Sequence, residues 1–214
     1  MNKKKGLILS ILGIISIVLI TVGITYAFFN YSKTGSSENV ISSGTITFIY
    51  EEVEKNGSGI SIENAYPVSD DTGKNQKDAK EVFNFTIKSN TYTKMEIPYT
   101  ITARKKVTST LDEAAVKLYL TEVNGDTETP VVESIYQSLP DYTNRPTGVS
   151  EKVLYTTKVP EESSNYVKNY RLRMWIPSTI DFSPLEDGTY PYNNKTFTVT
   201  VNVYANAKVV TEED

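Results

Sequence analysis

The sequence predicts an all-β protein, an antiparallel sandwich or barrel preceded by one N-terminal hydrophobic helix. The chain has 214 residues, and its 15 Tyr, 7 Phe and abundant Thr favour pleated, half-buried surfaces. Many short segments alternate between apolar and polar residues, which is typical of strands with one buried face. No convincing helical pattern follows residue 29. The 39% of hydrophobic residues suffice for one packed domain.

The hydrophobic helix comes first in the chain. Residues 6–29 carry no charge, and as a helix they are roughly 36 Å long, enough for a bilayer core of about 30 Å. Lys3, Lys4 and Lys5 precede this segment and favour a cytoplasmic N-terminus, with the rest of the chain outside the cell. The length favours a membrane anchor. The small residues Thr25 and Ala27 favour instead a signal-peptidase site, with cleavage before Phe28.

The first half of the remaining chain contains five predicted strands. They lie at 43–50, 60–62, 82–88, 95–103 and 116–120. Pro98 lacks a backbone donor, which predicts an edge strand or a bulge at 95–103. Residues 68–80 are polar and predict a solvated loop. Segment 111–120 has some helical character, and its strand ends at the turn Asn124-Gly125.

The second half begins with a predicted long, irregular insertion at 125–150, where three prolines interrupt short apolar runs. Strands follow at 153–159, 170–176 and 196–205. In the second of these, Leu172, Met174 and Ile176 are expected to face the core, with Arg171, Arg173 and Trp175 outward. In the last strand the core residues are Phe197, Val199, Val201 and Val203, and Thr196, Thr198, Thr200 and Asn202 face solvent.

Several function classes are excluded by composition. The chain has neither Cys nor His, so disulfides, cysteine nucleophiles, Ser-His-Asp triads and ordinary zinc sites are absent. We therefore predict no catalytic residue, no cofactor and no enzymatic activity; a hydrolase with paired carboxylates is a distant alternative. The net charge is −4, and it becomes −7 if residues 1–27 are removed. This acidic surface argues against nucleic acid as a partner.

The arrangement of motifs resembles the TasA/camelysin-like family of Gram-positive secreted β-sandwich proteins, which carry a SipW-type signal peptide. The resemblance rests first on Thr25-Tyr-Ala-Phe-Phe-Asn30, then on Ser43-Gly-Thr-Ile46 and on Pro67 with Phe83–Asn90. The late strands 172–176 and 197–205 also correspond. The resemblance implies a jelly-roll sandwich, cleavage by a dedicated signal peptidase at Thr25, Ala27 and Phe28, and assembly into fibres of the biofilm matrix. Camelysin-type metallopeptidase activity is not carried over, because His is missing.

Three parts of the chain follow from this resemblance. They are a signal peptide or transmembrane helix (1–27), an extended leader (28–42) and a β-sandwich domain (43–214). The resemblance implies that the leader adds as a strand to the next subunit, with Phe28, Phe29, Asn30 and Tyr31 as candidate donor residues. Partners are then further copies or other surface and matrix proteins, outside the cell or on its surface. The alternative is a flexible linker that joins a membrane-anchored binding module, recognising a peptide or glycan, to residues 6–29.

Residue types alone indicate three further candidate sites. Asp70, Asp71 and Asp78 are weak calcium candidates, since acidic loops are usually only solvated. Trp175, Tyr190, Tyr192 and Tyr204 would suit a carbohydrate or peptide platform, although alternating aromatic residues are more often core or cross-strand pairs. A Lys–Asn isopeptide link needs a buried Lys, Asn and acid at one place, which the sequence alone does not show.

Overall fold

The computed structural model describes residues 31–32, 39–42, 46–52, 59–63, 66–78, 82–91, 95–186, 188, 190–205 and 208–209. The predicted helix 6–29, the signal-peptidase residues Thr25, Ala27 and Phe28, and the donor residues Phe28–Asn30 lie outside these ranges. Within the described ranges, no helix has both the length and the apolar character needed to cross a membrane.

The predicted all-β sandwich is confirmed. Twelve strands are described, all antiparallel within two sheets: β1 (Tyr31–Ser32), β2 (Asn39–Ser42), β3 (Ile46–Glu52), β4 (Gly59–Glu63), β5 (Val82–Thr91), β6 (Met95–Lys105), β7 (Lys117–Asn124), β8 (Thr127–Ile135), β9 (Glu151–Val159), β10 (Tyr166–Trp175), β11 (Thr196–Ala205) and β12 (Lys208–Val209). A five-residue helix, α1 (Asp70–Lys74), and two 3₁₀ turns, Glu113–Ala115 and Tyr136–Ser138, complete the described elements.

The two sheets differ in how their strands are arranged. In the second sheet the order is β2-β3-β5-β10-β7-β8. In the first sheet β11 and β6 form the centre. Strands β4 and β1 both pair with the flank of β11 that lies away from β6. Strand β9 pairs with the other flank of β6. Strand β12 also pairs with β6, where it continues the register of the β11–β6 pair. The leader thus contributes β1 to one sheet and β2 to the other.

The core lies between the sheets and consists of the apolar faces predicted from alternation. Its fully buried side chains include Phe85, Ile87, Ile101, Leu118, Leu120, Phe197, Val199 and Val203. Near one end of the core, the Tyr99 hydroxyl lies 2.9 Å from that of Tyr166 and 2.8 Å from that of Tyr170. Burial raises the pKa of Tyr99 well above its usual range, so these three hydroxyls stay neutral and satisfy one another.

The predicted irregular insertion at 125–150 is wrong for its first third. Residues 127–135 form β8, which pairs with β7 through a two-residue turn in which Gly125 has φ 58°. The strand was missed because β8 is an edge strand, with polar residues on much of its length. Pro130 lies opposite Thr121, next to the point where the β7–β8 register shifts, and an edge strand tolerates its missing donor.

Two smaller predictions are settled by the strand pairing. Pro98 does not lie in an edge strand, because β6 pairs with β11 on one flank, as far as Tyr99, and with β9 on the other. The alternative prediction of a bulge in 95–103 is confirmed, since the register of the β6–β9 pair shifts between Ile101 and Thr102. The predicted loop at 68–80 contains α1, whose first turn is capped by the Ser69 hydroxyl accepting from the Thr72 backbone amide at 3.1 Å. The helical character at 111–120 amounts to one 3₁₀ turn before β7.

The solvent-facing assignment of Arg173 and Trp175 is wrong, because both are only 2% exposed. Their face of the second sheet is covered by α1 and by Glu128 of β8. The Arg173 guanidinium forms two bonds to the Glu128 carboxylate, at 2.6 and 2.9 Å, and Nε donates to the Gln76 carbonyl at 2.8 Å. The Trp175 indole donates to Asp70 at 3.1 Å. Part of the outer face of this sheet is therefore buried, and its side chains are held there by hydrogen bonds to polar partners.

Candidate functional site

The candidate site is the outer edge of β11. Strand β4 pairs with Thr196–Thr200, and β1 pairs with Tyr204 and Ala205. Between them, no other described strand pairs with residues 201–203 on this flank. We call residues 201–203 the open edge. Tyr31, which lies opposite Ala205, is the one candidate donor residue within the described ranges, so the structure brings the leader to this edge.

Strand β4 approaches β11 closely at the border of the open edge. A Cβ built on Gly59 would lie 1.8 Å from the Val199 carbonyl oxygen, so any side chain at this position would overlap with the backbone of β11. Glycine is therefore required at the point where β4 begins. On the same pair of strands, the Ser61 and Thr198 hydroxyls are 2.8 Å apart.

A buried charged cluster lies on the outer face of the first sheet beside the open edge. The Glu151 carboxylate is 0% exposed and accepts four hydrogen bonds. The donors are Thr102 at 2.5 Å, Asn202 and Tyr204 at 2.9 Å each, and Arg104 at 2.9 Å. Because these residues come from β6, β9 and β11, the cluster ties three strands together. We call it the Glu151 cluster.

The Glu151 carboxylate is buried in its ionised form and is paired with the Arg104 guanidinium. Burial alone would raise the pKa of Glu151, but the hydrogen bonds from Thr102, Asn202, Tyr204 and Arg104 outweigh it and lower that pKa. Burial and the Glu151 carboxylate raise the pKa of Tyr204 to about 12. The Asn202 side-chain oxygen is buried and has no hydrogen-bond partner among the described residues. The solvent-facing assignment of Asn202 is therefore wrong.

A loop segment adds a second layer to this face. The Tyr142 ring stacks on Tyr204 with centroids 4.4 Å apart. The Tyr142 amide donates to the Glu151 carbonyl at 2.9 Å, and the Val153 amide donates to the Pro140 carbonyl at 2.8 Å. This segment pairs along the start of β9. Tyr204 is thus held by the stack of its ring on Tyr142 and by the hydrogen bond of its hydroxyl to Glu151, at the position where β1 pairs.

The Glu151 cluster also bears on the isopeptide hypothesis. An acid and an asparagine do converge, but the cation beside them is Arg104, and a guanidinium is not the amine that such a link requires. The nearby Lys152 bonds instead to Asp141 at 2.8 Å and to the Gln137 carbonyl at 3.3 Å. The cluster holds β11 by hydrogen bonds and charge rather than by a covalent link.

The calcium candidates lie on or just after α1. The Asp70 carboxylate accepts from Lys117 at 2.6 Å and from Trp175 at 3.1 Å, and the bond from Lys117 is the main reason why its pKa is lowered. Asp71 is exposed, and the Asp78 carbonyl accepts from the Val82 amide. Across the described part of the chain, no three metal-binding side chains form a group. Asp70 serves to attach α1 to the second sheet.

The four residues of the predicted aromatic platform do not come together. Trp175 lies under α1 and Tyr204 lies on the first sheet, whereas Tyr190 and Tyr192 gather around Phe182 with Tyr66. The centroid of Phe182 is 4.9 Å from that of Tyr190, 5.7 Å from that of Tyr192 and 5.6 Å from that of Tyr66. We call these four rings the aromatic cluster. Sequence reasoning missed Tyr66 and Phe182 because they lie in loops, without strand periodicity.

Comparison with known proteins adds no assignment to this geometry. No protein-family model matches the sequence, and no curated protein matches it at a significant level. The resemblance to the TasA/camelysin-like family therefore stays a prediction from the sequence motifs.

Proposed function

We propose that this protein is an exported, non-enzymatic structural protein of the cell surface or biofilm matrix, and that its copies associate by strand addition. In this arrangement the leader of one copy pairs with the outer edge of β11 in the next. The observation that supports the proposal best is the pairing of β1 with Tyr204 and Ala205, because it shows that leader and edge are compatible.

The acceptor edge is suited to receive a strand. Backbone amides and carbonyls at a strand edge are a template for another chain, and the open edge, which no described strand covers, extends the pairing surface beyond Tyr204. The Glu151 cluster keeps β11 in place next to this edge. An edge that is ordered before association loses less conformational entropy when a strand binds.

The chain between β1 and β2 is long enough for exchange. From Ser32 to Asn39 an extended chain reaches at most about 25 Å, and the segment includes Gly35, Ser36 and Ser37. A leader of this length and composition can leave its own β11 and reach the same edge of a neighbouring copy. Such exchange of identical elements is a low-cost route to oligomers, and a head-to-tail version produces fibres.

The test separates leader pairing from other contacts. Deletion of residues 28–37 should leave a folded monomer that no longer forms concentration-dependent polymers, as measured by sedimentation velocity and electron microscopy. The double substitution Tyr31→Pro/Ser32→Pro should also reduce polymers, because proline cannot donate to the β11 ladder. The matched control is Ser36→Pro/Ser37→Pro, outside β1, which should polymerise normally. Unchanged assembly of the deletion variant would contradict strand addition.

A second candidate function is a membrane-anchored binding module that retains residues 6–29. The exposed aromatic cluster favours it, since contiguous exposed apolar surface marks interaction sites. The intact mass and N-terminal residue of the protein at the cell surface distinguish the two functions. A chain that begins at Phe28 supports release after signal-peptidase cleavage, and an intact 23.9 kDa chain in the membrane supports the anchored module, with its N-terminus in the cytoplasm.

A further inference from the structure

The aromatic cluster lies at the end of the sandwich opposite to the leader. Its loop, residues 178–194, leads into Thr196 at the start of β11, whereas β1 pairs with the last residue, Ala205. Nine residue steps along a strand span about 30 Å. The cluster therefore points away from the membrane in an anchored protein and away from the strand-addition site in a polymer.

Exposed apolar side chains are concentrated at this end. Among the described residues, five large hydrophobic side chains are clearly exposed. Two of them, Tyr66 at 70% and Tyr190 at 46%, belong to the cluster, and a third, Leu185 at 53%, lies on the same loop as Phe182 and Tyr190. Single exposed apolar residues need no explanation, but a contiguous group is typical of an interaction surface.

The rings of the cluster are held in place before any ligand arrives. Phe182 stacks on Tyr190 and Tyr192 with interplanar angles of 16° and 29°, and Tyr66 meets it edge-on at 67°. The Tyr192 hydroxyl donates to the Asp181 carbonyl at 3.2 Å. The segment after Tyr66 is bound to the loop by two backbone bonds, Val68 to Ile176 at 2.9 Å and Ser178 to Val68 at 2.8 Å. Preorganised rings bind at a lower entropic cost.

The chemistry of the cluster points to a sugar ligand: we infer that the aromatic cluster binds a neutral polysaccharide, whose sugar rings stack on the exposed tyrosines. The exposed rings, Tyr66 and Tyr190, combine an apolar face with a hydroxyl, and the central ring is Phe182. A sugar ring is amphipathic in the same way, with a face of C–H groups and hydroxyls at its rim.

Charge disfavours an anionic ligand. Hydrogen bonds from Ser183 lower the pKa of Asp181, so this carboxylate beside Phe182 is ionised at neutral pH, and Glu186 is exposed on the same loop. The whole chain carries a net charge of −4. Anionic polymers are repelled by this combination. The inference rests on the second candidate function and names its ligand class.

The experiment measures retardation of the full-length chain, kept in a non-glycosidic detergent, in native gels that contain hydroxyethyl cellulose or a soluble β-1,3-glucan. Calorimetry with an N-acetylglucosamine hexamer gives an association constant. Tyr66→Ala and Tyr190→Ala should each lower binding at least fivefold, and both exposed side chains can be removed without loss of the fold. The matched control is Val167→Ala, which removes an exposed apolar side chain near the other end of the sandwich.

Two results would overturn the inference. One is equal binding by the wild type and the two tyrosine variants, and the other is no binding to any of the three probes. If a proline-rich cationic peptide binds in a Tyr190-dependent manner while the glycans do not, the binding module stands and the polysaccharide inference fails. Strand addition is measured on other residues, so its outcome is independent of this one.

Discussion

Gly73 of α1 lies directly against the indole ring of Trp175: a Cβ built on this glycine would come within 2.2 Å of the ring carbon Cδ2. The contact explains why Trp175, on the outer face of β10, is buried. Two ion pairs hold the helix over the ring: Asp70 with Lys117 at 2.6 Å, and Lys74 with Glu133 at 2.7 Å. The short helix α1 is attached to the sheet mainly through these contacts.

We expect Gly73→Ala to displace α1, because the added methyl group overlaps an aromatic ring fixed in the sheet. The free energy of unfolding should fall by about 1–3 kcal/mol. Trp175 is the single tryptophan of the chain, so its fluorescence should shift to the red as the ring becomes hydrated. Asp71→Ala, at an exposed position of the same helix, is the control. An unshifted emission spectrum for Gly73→Ala would contradict the packing described here.

We expect Glu151→Gln to destabilise the protein by about 3 kcal/mol, because it removes a fully buried carboxylate and leaves the partly buried Arg104 guanidinium without its ion-pair partner. Chemical denaturation measures the loss. Glu161→Gln, on an exposed turn, should change stability by less than about 0.5 kcal/mol. Equal stability of the two variants would mean that the Glu151 cluster does not hold β11.

Acid should weaken the contact between β8 and β10. Hydrogen bonds from Arg173 and, more weakly, from Thr121 lower the pKa of Glu128 from 4.5 to about 2. A lowered pKa in the folded state stabilises the fold above pH 4.5, and this stabilisation is lost as the pH falls from about 4.5 to about 2. Its size is on the order of 2–3 kcal/mol.

The pH effect is measured by thermal unfolding at pH 7, 4 and 2.5, on the wild type and on Glu128→Gln. The variant should be less stable than the wild type at pH 7, and the difference should shrink towards pH 2.5. A difference that stays constant over this range would show that ionisation of Glu128 does not contribute to folding.

The start of β4 offers a way to lengthen the open edge. Gly59→Ala places a methyl group against the Val199 carbonyl, so β4 must move away from β11 at a cost of about 1–3 kcal/mol. More of the β11 edge is then unpaired, and self-association measured by sedimentation should increase. Ser61→Ala, on the same strand, loses one hydroxyl contact and is the control. A Gly59→Ala protein that is stable and monomeric would contradict both expectations.

The strands could be predicted where one face of the sheet meets the core and the other meets water. Strand β5, with Phe83, Phe85 and Ile87 buried, and β11, with four alternating apolar residues, follow this rule. The rule failed for β8, because at an edge the polar residues outnumber the buried ones. It also failed for α1, because a helix of five residues is too short to show the helical repeat of 3.6 residues in its apolar positions.

The buried polar clusters could not be predicted from the sequence. Arg173 and Asn202 occupy alternating positions that normally face solvent, and their partners Glu128 and Glu151 lie 45 and 51 residues away. Nothing in the local pattern shows which carboxylate reaches which donor. The same limitation explains the aromatic cluster, in which Tyr66 and Phe182 come from separate loops.

The pairing of Tyr31 with Ala205 also sets the order of events during synthesis. The two residues are separated by 174 positions, so at about 5–20 residues per second the leader waits roughly 10–35 s before its partner strand exists. Pairings between such distant segments form late in folding. Under the proposed strand addition, the β11 strands of completed neighbours would compete for the leader throughout that interval, and the local concentration of chains would determine whether it closes on its own sheet.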